Sequence, residues 1–127
     1  MCRTIITNGT IVNDGEHFIG SIIVKGEFIE SVIKGKLPEN IVYDTDRIID
    51  ASGKWILPGV IGGRRQCREP GLTHKAEIAT ESVAAVAGGI TSFMEMPNTV
   101  PQTTTLEALE WKYSRAAEVS PANYSFY

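Results

Sequence analysis

Cysteine and histidine are both scarce in this sequence. The 127 residues include two cysteines and two histidines. Cys2 and Cys67 form no pattern typical of a disulfide framework, which argues against a disulfide-stabilised secreted domain and favours free thiols in a reducing cytoplasm. His17 has no partner in its segment, and His74 lies near a helix start, where a solvated face is the expected environment. The sequence also contains no glycine-rich phosphate loop and no nucleophile–base pair.

Long apolar runs and an excess of charge of one sign are missing as well. The longest uncharged stretch rich in apolar residues is Ser82–Met94, which is shorter than the roughly 20 residues of a membrane-spanning helix. The N-terminal residues meet Asn8-Gly9 too early to form the apolar core of a signal peptide. The net charge is −3 and the cations are scattered, so neither nucleic acid nor an anionic membrane is expected as a partner.

What the sequence does contain, up to residue 50, is a series of short strands separated by turn residues. Thr4–Ile6 and Thr10–Val12 flank Asn8-Gly9, which predicts a hairpin with a type I′ turn, although the three-residue gap leaves room for a bulge. This spacing of strands and turns is typical of an antiparallel sheet.

Two further features complete this β segment. Ser21–Lys25 and Phe28–Ile33 are joined by Gly26-Glu27 and predict a second hairpin. Arg47–Asp50 predicts a fourth strand, which Ala51–Gly53 ends. Such spacing suits a small sandwich or partial barrel, so residues 1–55 are interpreted as a small β lead-in.

After Pro58-Gly59 the hydrophobic period changes. Val60 to about Cys67 reads as a strand, and a helix from about Lys75 to Ala87 follows, with Thr73 as its predicted N-cap and Gly88-Gly89 at its end. The apolar face predicted for this helix includes Val83 and Val86. Ile90–Met94 is the next strand.

A second helix and a third strand continue the alternation. Thr104 and Glu107 form a capping box, and the helix after it presents Leu106, Leu109, Tyr113 and Ala116 on one predicted face. Asn123–Tyr127 begins a strand. Strands alternating with helices are typical of parallel βα units, and a complete (β/α)₈ barrel needs about 250 residues. Residues 56–127 are therefore predicted to hold two βα units and the start of a third strand, as a fragment of an incomplete barrel.

Four blocks of residues resemble one known family. The sequence around Leu57-Pro58-Gly59, the block Arg68–Lys75, the stretch Ala87–Ser92 and the block Met94–Thr99 are strongly similar to dihydroorotase. Dihydroorotase is an amidohydrolase-superfamily enzyme that interconverts carbamoyl-aspartate and dihydroorotate in pyrimidine synthesis. The resemblance covers nearly the whole chain, and Arg-Glu-Pro-Gly and Met-Pro-Asn-Thr resemble allantoinase and dihydropyrimidinase less.

The resemblance implies the N-terminal portion of a (β/α)₈ TIM-barrel amidohydrolase, preceded by a small β-sandwich-like segment. It also implies zinc, held first by a His-x-His pair at the end of barrel strand 1. Residues i and i+2 of a strand point to the same side, so two imidazoles there converge on one ion. In this sequence the two positions hold Arg64 and Gln66, and neither is a competent zinc ligand. No bound cofactor is expected for this chain.

Two positions that the resemblance assigns to the substrate are retained. Arg68 matches the family arginine, whose planar guanidinium suits a bidentate grip on the substrate carboxylate, and Asn98 matches the asparagine that meets the same carboxylate. Cys67 is expected to be a small core residue. Glu95 could approach the site, although a single carboxylate is more often solvated or ion-paired.

Three hypotheses follow from this pattern. The first is a truncated dihydroorotase that is inactive as it stands, with carbamoyl-aspartate or dihydroorotate as the family's substrate. The second is a non-catalytic homologue that forms a homo-oligomer or assembles with aspartate carbamoyltransferase, as the resemblance implies for relatives without the metal. The third is an error in the recorded sequence, either a local, compensated reading-frame error or a deletion-prone gene model that also ends early, since the divergence is confined to residues 62–67 between matching flanks. Resequencing the codons for Arg64 and Gln66 tests it.

Overall fold

The computed structural model describes residues 3–127, so the interpretation of Cys2 as a free thiol lies outside the described part of the chain. The chain forms two compact units, of which the first ends at Pro58 and the second is Gly59–Tyr127. The strands of the first unit are β1 (Arg3–Asn13), β2 (Glu16–Lys25), β3 (Phe28–Lys34), β4 (Arg47–Asp50) and β5 (Trp55–Ile56). The elements of the second unit are β6 (Val60–Arg65), α1 (Ile78–Ala87), β7 (Ile90–Glu95), α2 (Leu106–Val119) and β8 (Asn123–Phe126).

The first unit is one mixed sheet with strand order β3-β2-β1-β4, in which β5 pairs with a later part of β1. β1, β2 and β3 are antiparallel, whereas β4 and β5 run parallel to β1. The predicted second hairpin and the predicted strand Arg47–Asp50 are both observed. All five strands of this unit belong to one hydrogen-bonded sheet. Ile56 pairs with Ile11 of β1, so strand pairing continues past residue 55, where the sequence-based boundary lies.

The hairpin predicted at Asn8-Gly9 is wrong. β1 continues through these residues with a bulge, at which the register shifts between Ile6 and Gly9 and Asn8 has a φ of 62°. The turn lies at Asp14-Gly15, with φ values of 51° and 78°. Both pairs of residues tolerate the left-handed conformation, and the longer pairing of β1 with β2 decides which pair makes the turn.

The second unit is a parallel sheet with strand order β6-β7-β8, which confirms the predicted βα alternation. One apolar cluster lies under the two helices, because each βα crossover packs its helix against a face of the sheet. The buried members of this cluster are Cys67, Ile78, Phe93, Ala116, Ala122 and Phe126. Among residues 3–127, no helix is long and apolar enough to cross a bilayer.

The predicted start of α1 is wrong. The helix begins at Ile78, and Glu77 is its N-cap residue. The Glu77 side chain makes no capping hydrogen bond. Glu69, which lies outside the helix, takes the place of the predicted Thr73 cap. Its carboxylate accepts a hydrogen bond from the Ile78 amide. The buried face is Ile78, Ser82 and Ala85, so the predicted core positions Val83 and Val86 are exposed. Gly88 and Gly89 end the helix as predicted.

The N-cap of α2 is displaced by one residue from the prediction. Thr105, rather than Thr104, is the cap, and its hydroxyl accepts a hydrogen bond from the Ala108 amide at 3.3 Å. The predicted apolar face is only partly correct, because Leu106 is 75% exposed while Ala116 is buried. The largest buried side chain of this helix is Lys112.

Candidate functional site

The two positions predicted to bind substrate lie in two loops at the carboxyl edge of the parallel sheet in the second unit. The loop after β6 carries Arg68, and the loop after β7 carries Asn98. Parallel strands place the loops at their carboxyl ends on the same edge of the sheet. The Val100 amide donates a hydrogen bond to the Pro70 carbonyl at 3.1 Å, which joins the two loops directly.

The backbone of Arg68 adopts a conformation that is unusual for a non-glycine residue, with a φ of 60°. Its carbonyl accepts a hydrogen bond from the Leu72 amide at 3.0 Å, so the loop turns back immediately after this residue. Arg68 is half-buried as a whole residue, and its Nη2 donates an exposed hydrogen bond to the Oε1 of Gln66. One N–H group of the Arg68 guanidinium is therefore engaged within the protein.

The two positions that correspond to the family's first metal ligands do not provide a zinc site. Arg64 is exposed and offers no lone pair, and the side-chain oxygen of Gln66 is hydrogen-bonded to Arg68. Within the described range, no group of three or more His, Cys, Asp or Glu side chains is placed to hold a metal ion. The residues at this edge of the sheet therefore do not fit zinc, whose protein ligands are imidazole, thiolate and carboxylate.

Asn98 lies in a loop that side-chain hydrogen bonds hold in place. The Thr99 hydroxyl donates to the Pro101 carbonyl at 2.8 Å and shares a hydrogen bond of 3.1 Å with the Thr103 hydroxyl. The Thr103 amide donates to the Pro97 carbonyl. The Oδ1 of Asn98 is buried, and no residue in the described part of the chain donates a hydrogen bond to it. Only the Nδ2 of this amide can donate to a carboxylate.

Glu69, next to Arg68, connects the first loop to both helices. Its Oε2 accepts a hydrogen bond from the Ile78 amide at 2.9 Å, and its Oε1 accepts one from the Nε of Arg115 at 2.8 Å. The side chain is buried, and the guanidinium beside it is raised in pKa by this hydrogen bond and by the carboxylate charge. From the sequence, Glu69 had no expected role beyond its place in the Arg-Glu-Pro-Gly block.

A second ion pair joins α2 to the end of β7. Lys112 of α2 donates to the Oε2 of Glu95 at the end of β7, and it also donates to the Met96 carbonyl at 3.2 Å. Burial raises the pKa of the Glu95 carboxyl, while Lys112 and the backbone amides of Cys67 and Arg68 oppose that shift.

Glu95 is therefore ion-paired, which is one of the two environments expected for it. The role of Lys112 was missed by the sequence analysis. The sequence feature that could have indicated this role is a lysine between the apolar residues Leu109 and Ala116 on one face of the helix. A lysine is normally solvated, so its presence on an apolar face is unusual.

Cys67 and His74 are placed as predicted. Cys67 is 1% exposed and belongs to the apolar cluster, and burial raises the pKa of its thiol to about 12. His74 is exposed. The Cys67 thiol is therefore part of the core and not a reactive group.

Comparison with known proteins extends these observations. Dihydroorotase from Bacillus pumilus is 39% identical over 117 residues, which cover 91% of this chain and 26% of that enzyme. Dihydroorotase from Lactobacillus gasseri is 33% identical over 107 residues, covering 84% of this chain and 24% of that enzyme. The chain therefore spans about a quarter of the length of the curated relatives it matches.

Solved structures give the same result for the fold. An L-hydantoinase (dihydropyrimidinase) from Arthrobacter aurescens matches with a TM-score of 0.81 and 29% identity, over 98% of this chain and 27% of that one. A D-hydantoinase from Thermus sp. matches with a TM-score of 0.79 and 27% identity, over 98% and 27% of the two chains. These amidohydrolases are TIM barrels, so the predicted fold class is confirmed. A family model described as dihydro-orotase-like matches residues 53–127, more than half of the sequence, and the chain belongs to that family.

Proposed function

We propose that this chain keeps the carboxylate-binding part of a dihydroorotase-like site and lacks the hydrolytic part. Its ligand class is the substrate pair of the relatives, carbamoyl-aspartate and dihydroorotate, each of which carries a carboxylate that a guanidinium can bind. Arg68 and Asn98 would contact that carboxylate. The chain would neither form nor open the cyclic amide. The relatives' pathway also makes the cytoplasm its proposed location.

The hydrogen bond between Gln66 and Arg68 carries this proposal. A histidine in the second ligand position would present an imidazole to the metal, whereas Gln66 turns its side-chain oxygen to the neighbouring guanidinium. This contact replaces a potential metal ligand by an internal acceptor for the substrate arginine. Arg68 keeps its remaining donors, since a guanidinium has five N–H groups.

Binding and turnover are tested separately on the 127-residue chain. Isothermal titration calorimetry with N-carbamoyl-L-aspartate is expected to show binding that Arg68→Gln weakens by about tenfold or more, because a charged hydrogen-bond donor to a carboxylate is lost. Gln66→Ala is expected to tighten binding by about two- to fivefold, because it frees one donor of the fork. Arg47→Gln, at an exposed arginine of β4, is the matched control and should leave the dissociation constant unchanged.

A turnover assay completes the test. Cyclisation of carbamoyl-aspartate is followed with and without added zinc, and no product is expected in either condition. Turnover by the chain would refute the proposed inactivity. Equal binding by the native chain and Arg68→Gln would refute the carboxylate grip.

Assembly with aspartate carbamoyltransferase is a second candidate function. The observation that favours it is the contrast between the replaced residues Arg64 and Gln66 and a scaffold in which the Glu69 and Glu95 ion pairs are intact. Natural selection that acted on the fold and not on catalysis would keep the ion pairs while the metal-ligand positions changed. Co-purification with the transcarbamoylase would support the idea, and a monodisperse chain that binds no transcarbamoylase would contradict it.

A further inference from the structure

Helix α2 places two cations against two carboxylates near Arg68. Arg115 contacts Glu69, the residue after Arg68, and Lys112 contacts Glu95, whose carboxylate is favoured in its charged form by the amides of Cys67 and Arg68. Lys112 and Arg115 are three residues apart, so they lie on the same side of the helix. Helix α2 therefore contacts the loop that carries Arg68 through Arg115 and Glu69, and it contacts the end of β7 through Lys112 and Glu95.

The Arg115–Glu69 contact has the geometry of a specific restraint. The Nε–Oε1 distance is 2.8 Å, the Glu69 side chain is 9% exposed, and its second oxygen is occupied by the Ile78 amide at 2.9 Å. Arg115 also faces Glu118 at 3.7 Å, but the Glu118 side chain is 71% exposed. The Arg115 side chain is itself 32% exposed, so the contact with the loop is short and part-buried, whereas the contact within the helix is longer and more exposed.

The backbone at Arg68 is the reason that a restraint is needed. Its φ of 60° lies in the left-handed region, which residues with a Cβ rarely adopt unless neighbouring contacts hold them there. The hydrogen bond from Leu72 to the Arg68 carbonyl is local, whereas Glu69 fixes the following peptide to two helices. The direction in which the guanidinium leaves the loop depends on this backbone conformation.

We propose that Arg115 is a positioning residue for ligand binding, which acts through Glu69 to hold the Arg68 guanidinium at the carboxylate site. The proposal rests on the proposed function, because it assigns a second residue to the same grip. Arg115 itself contacts no ligand. Its effect is transmitted by one carboxylate and one peptide unit.

The test combines ligand affinity with the NMR signal of the Arg68 side chain in the ligand-free protein. The Hε–Nε cross-peak of Arg68 is identified by its disappearance in Arg68→Lys. In Arg115→Gln the dissociation constant for N-carbamoyl-L-aspartate should rise about fivefold, and the Arg68 cross-peak should shift. Arg115→Lys restores a cation opposite Glu69 and should recover most of both effects. Glu118→Gln, which leaves the Glu69 contact in place, is the matched control and should change neither.

The outcomes separate this proposal from the one on which it rests. If the native chain binds no carbamoyl-aspartate, the proposed function fails, and the Arg68 cross-peak in Arg115→Gln still decides the positioning role. An unmoved cross-peak with unchanged affinity would overturn that role, even if the variant melts at a lower temperature. Should Arg115→Gln not fold, Glu69→Gln gives the same test, because its amide oxygen can still accept from Ile78 while the ion pair is lost.

Discussion

Lys112 on α2 and Glu95 at the end of β7 form an ion pair in which both side chains are 0% exposed. Lys112 gains a second acceptor in the Met96 carbonyl, and the backbone amides of Cys67 and Arg68 lie near the Glu95 carboxylate, although no residue in the described range donates a close hydrogen bond to its Oε1. Removing two charges from water costs free energy, and their mutual attraction offsets this cost only when the remaining polar atoms are also satisfied. The pair therefore specifies how α2 docks on the strand more than it adds stability.

Replacing one member of this pair should be far more damaging than replacing both. Lys112→Met is expected to lower the free energy of unfolding by about 3–5 kcal/mol, because it leaves the Glu95 carboxylate buried without a counter-charge. The double variant Lys112→Met, Glu95→Leu should recover most of this loss, since an apolar pair of similar volume avoids the desolvation cost. Urea unfolding followed by circular dichroism measures both. A double variant no more stable than the single one would contradict the argument.

Gly71 should not tolerate a side chain. Its φ is 84°, and a Cβ at this position would lie 1.9 Å from the Val100 carbonyl oxygen. Gly71→Ala is therefore expected to cost more than about 2 kcal/mol in unfolding free energy, from backbone strain and from separation of the two loops. Gly63→Ala is the matched control, because a Cβ there meets no atom within 4 Å and its φ is ordinary. Equal effects of the two substitutions in urea unfolding would refute the prediction.

The thiol of Cys67 should resist alkylation in the folded protein. Burial raises its pKa from 9.0 to about 12, which lowers the thiolate fraction near neutral pH by about a thousandfold. Iodoacetamide labelling with peptide mass mapping should find Cys67 modified in urea and protected in buffer. Labelling at similar rates in the two conditions would show that the thiol is accessible.

The same thiol gives a pH dependence whose sign follows from linkage. The folded pKa of about 12 lies above the unfolded value of 9.0, so between these limits the folded state binds more protons than the unfolded state. The free energy of unfolding should fall as the pH rises above 9, by at most about 1.4 kcal/mol per pH unit from this group. Cys67→Ala should show a shallower fall over the same range. Parallel curves for the two proteins would contradict the assignment to Cys67.

The N-cap of α2 offers a test at two neighbouring threonines. Thr105→Ala should lower the unfolding free energy by about 1 kcal/mol, because the Ala108 amide loses the hydroxyl that it donates to. Thr104→Ala should have a much smaller effect, since that residue is exposed and lies outside the helix. Thermal melts of the two variants are sufficient to compare them. A larger loss for Thr104→Ala would place the cap where the capping box suggested.

Local sequence signals determined most elements and the family. Arg47–Asp50 was predicted with the bounds that it has, and the alternation of β6, α1, β7, α2 and β8 followed from the change in hydrophobic period. Such signals depend on neighbours along the chain, where periodicity and glycine positions act directly. The substrate positions Arg68 and Asn98 came from residue blocks, and their role stays a prediction.

Tertiary structure decided the features in which distant residues compete for the same role. Asn8 and Asp14 are equally suited to a turn, and the length of the β1–β2 pairing made one a bulge and the other a turn. Glu69 displaced Thr73 from the start of α1 because its carboxylate reaches the Ile78 amide. Lys112 is buried because Glu95 lies opposite it, 17 residues away in the sequence. Each outcome depends on a contact between segments, and no local pattern contains that information.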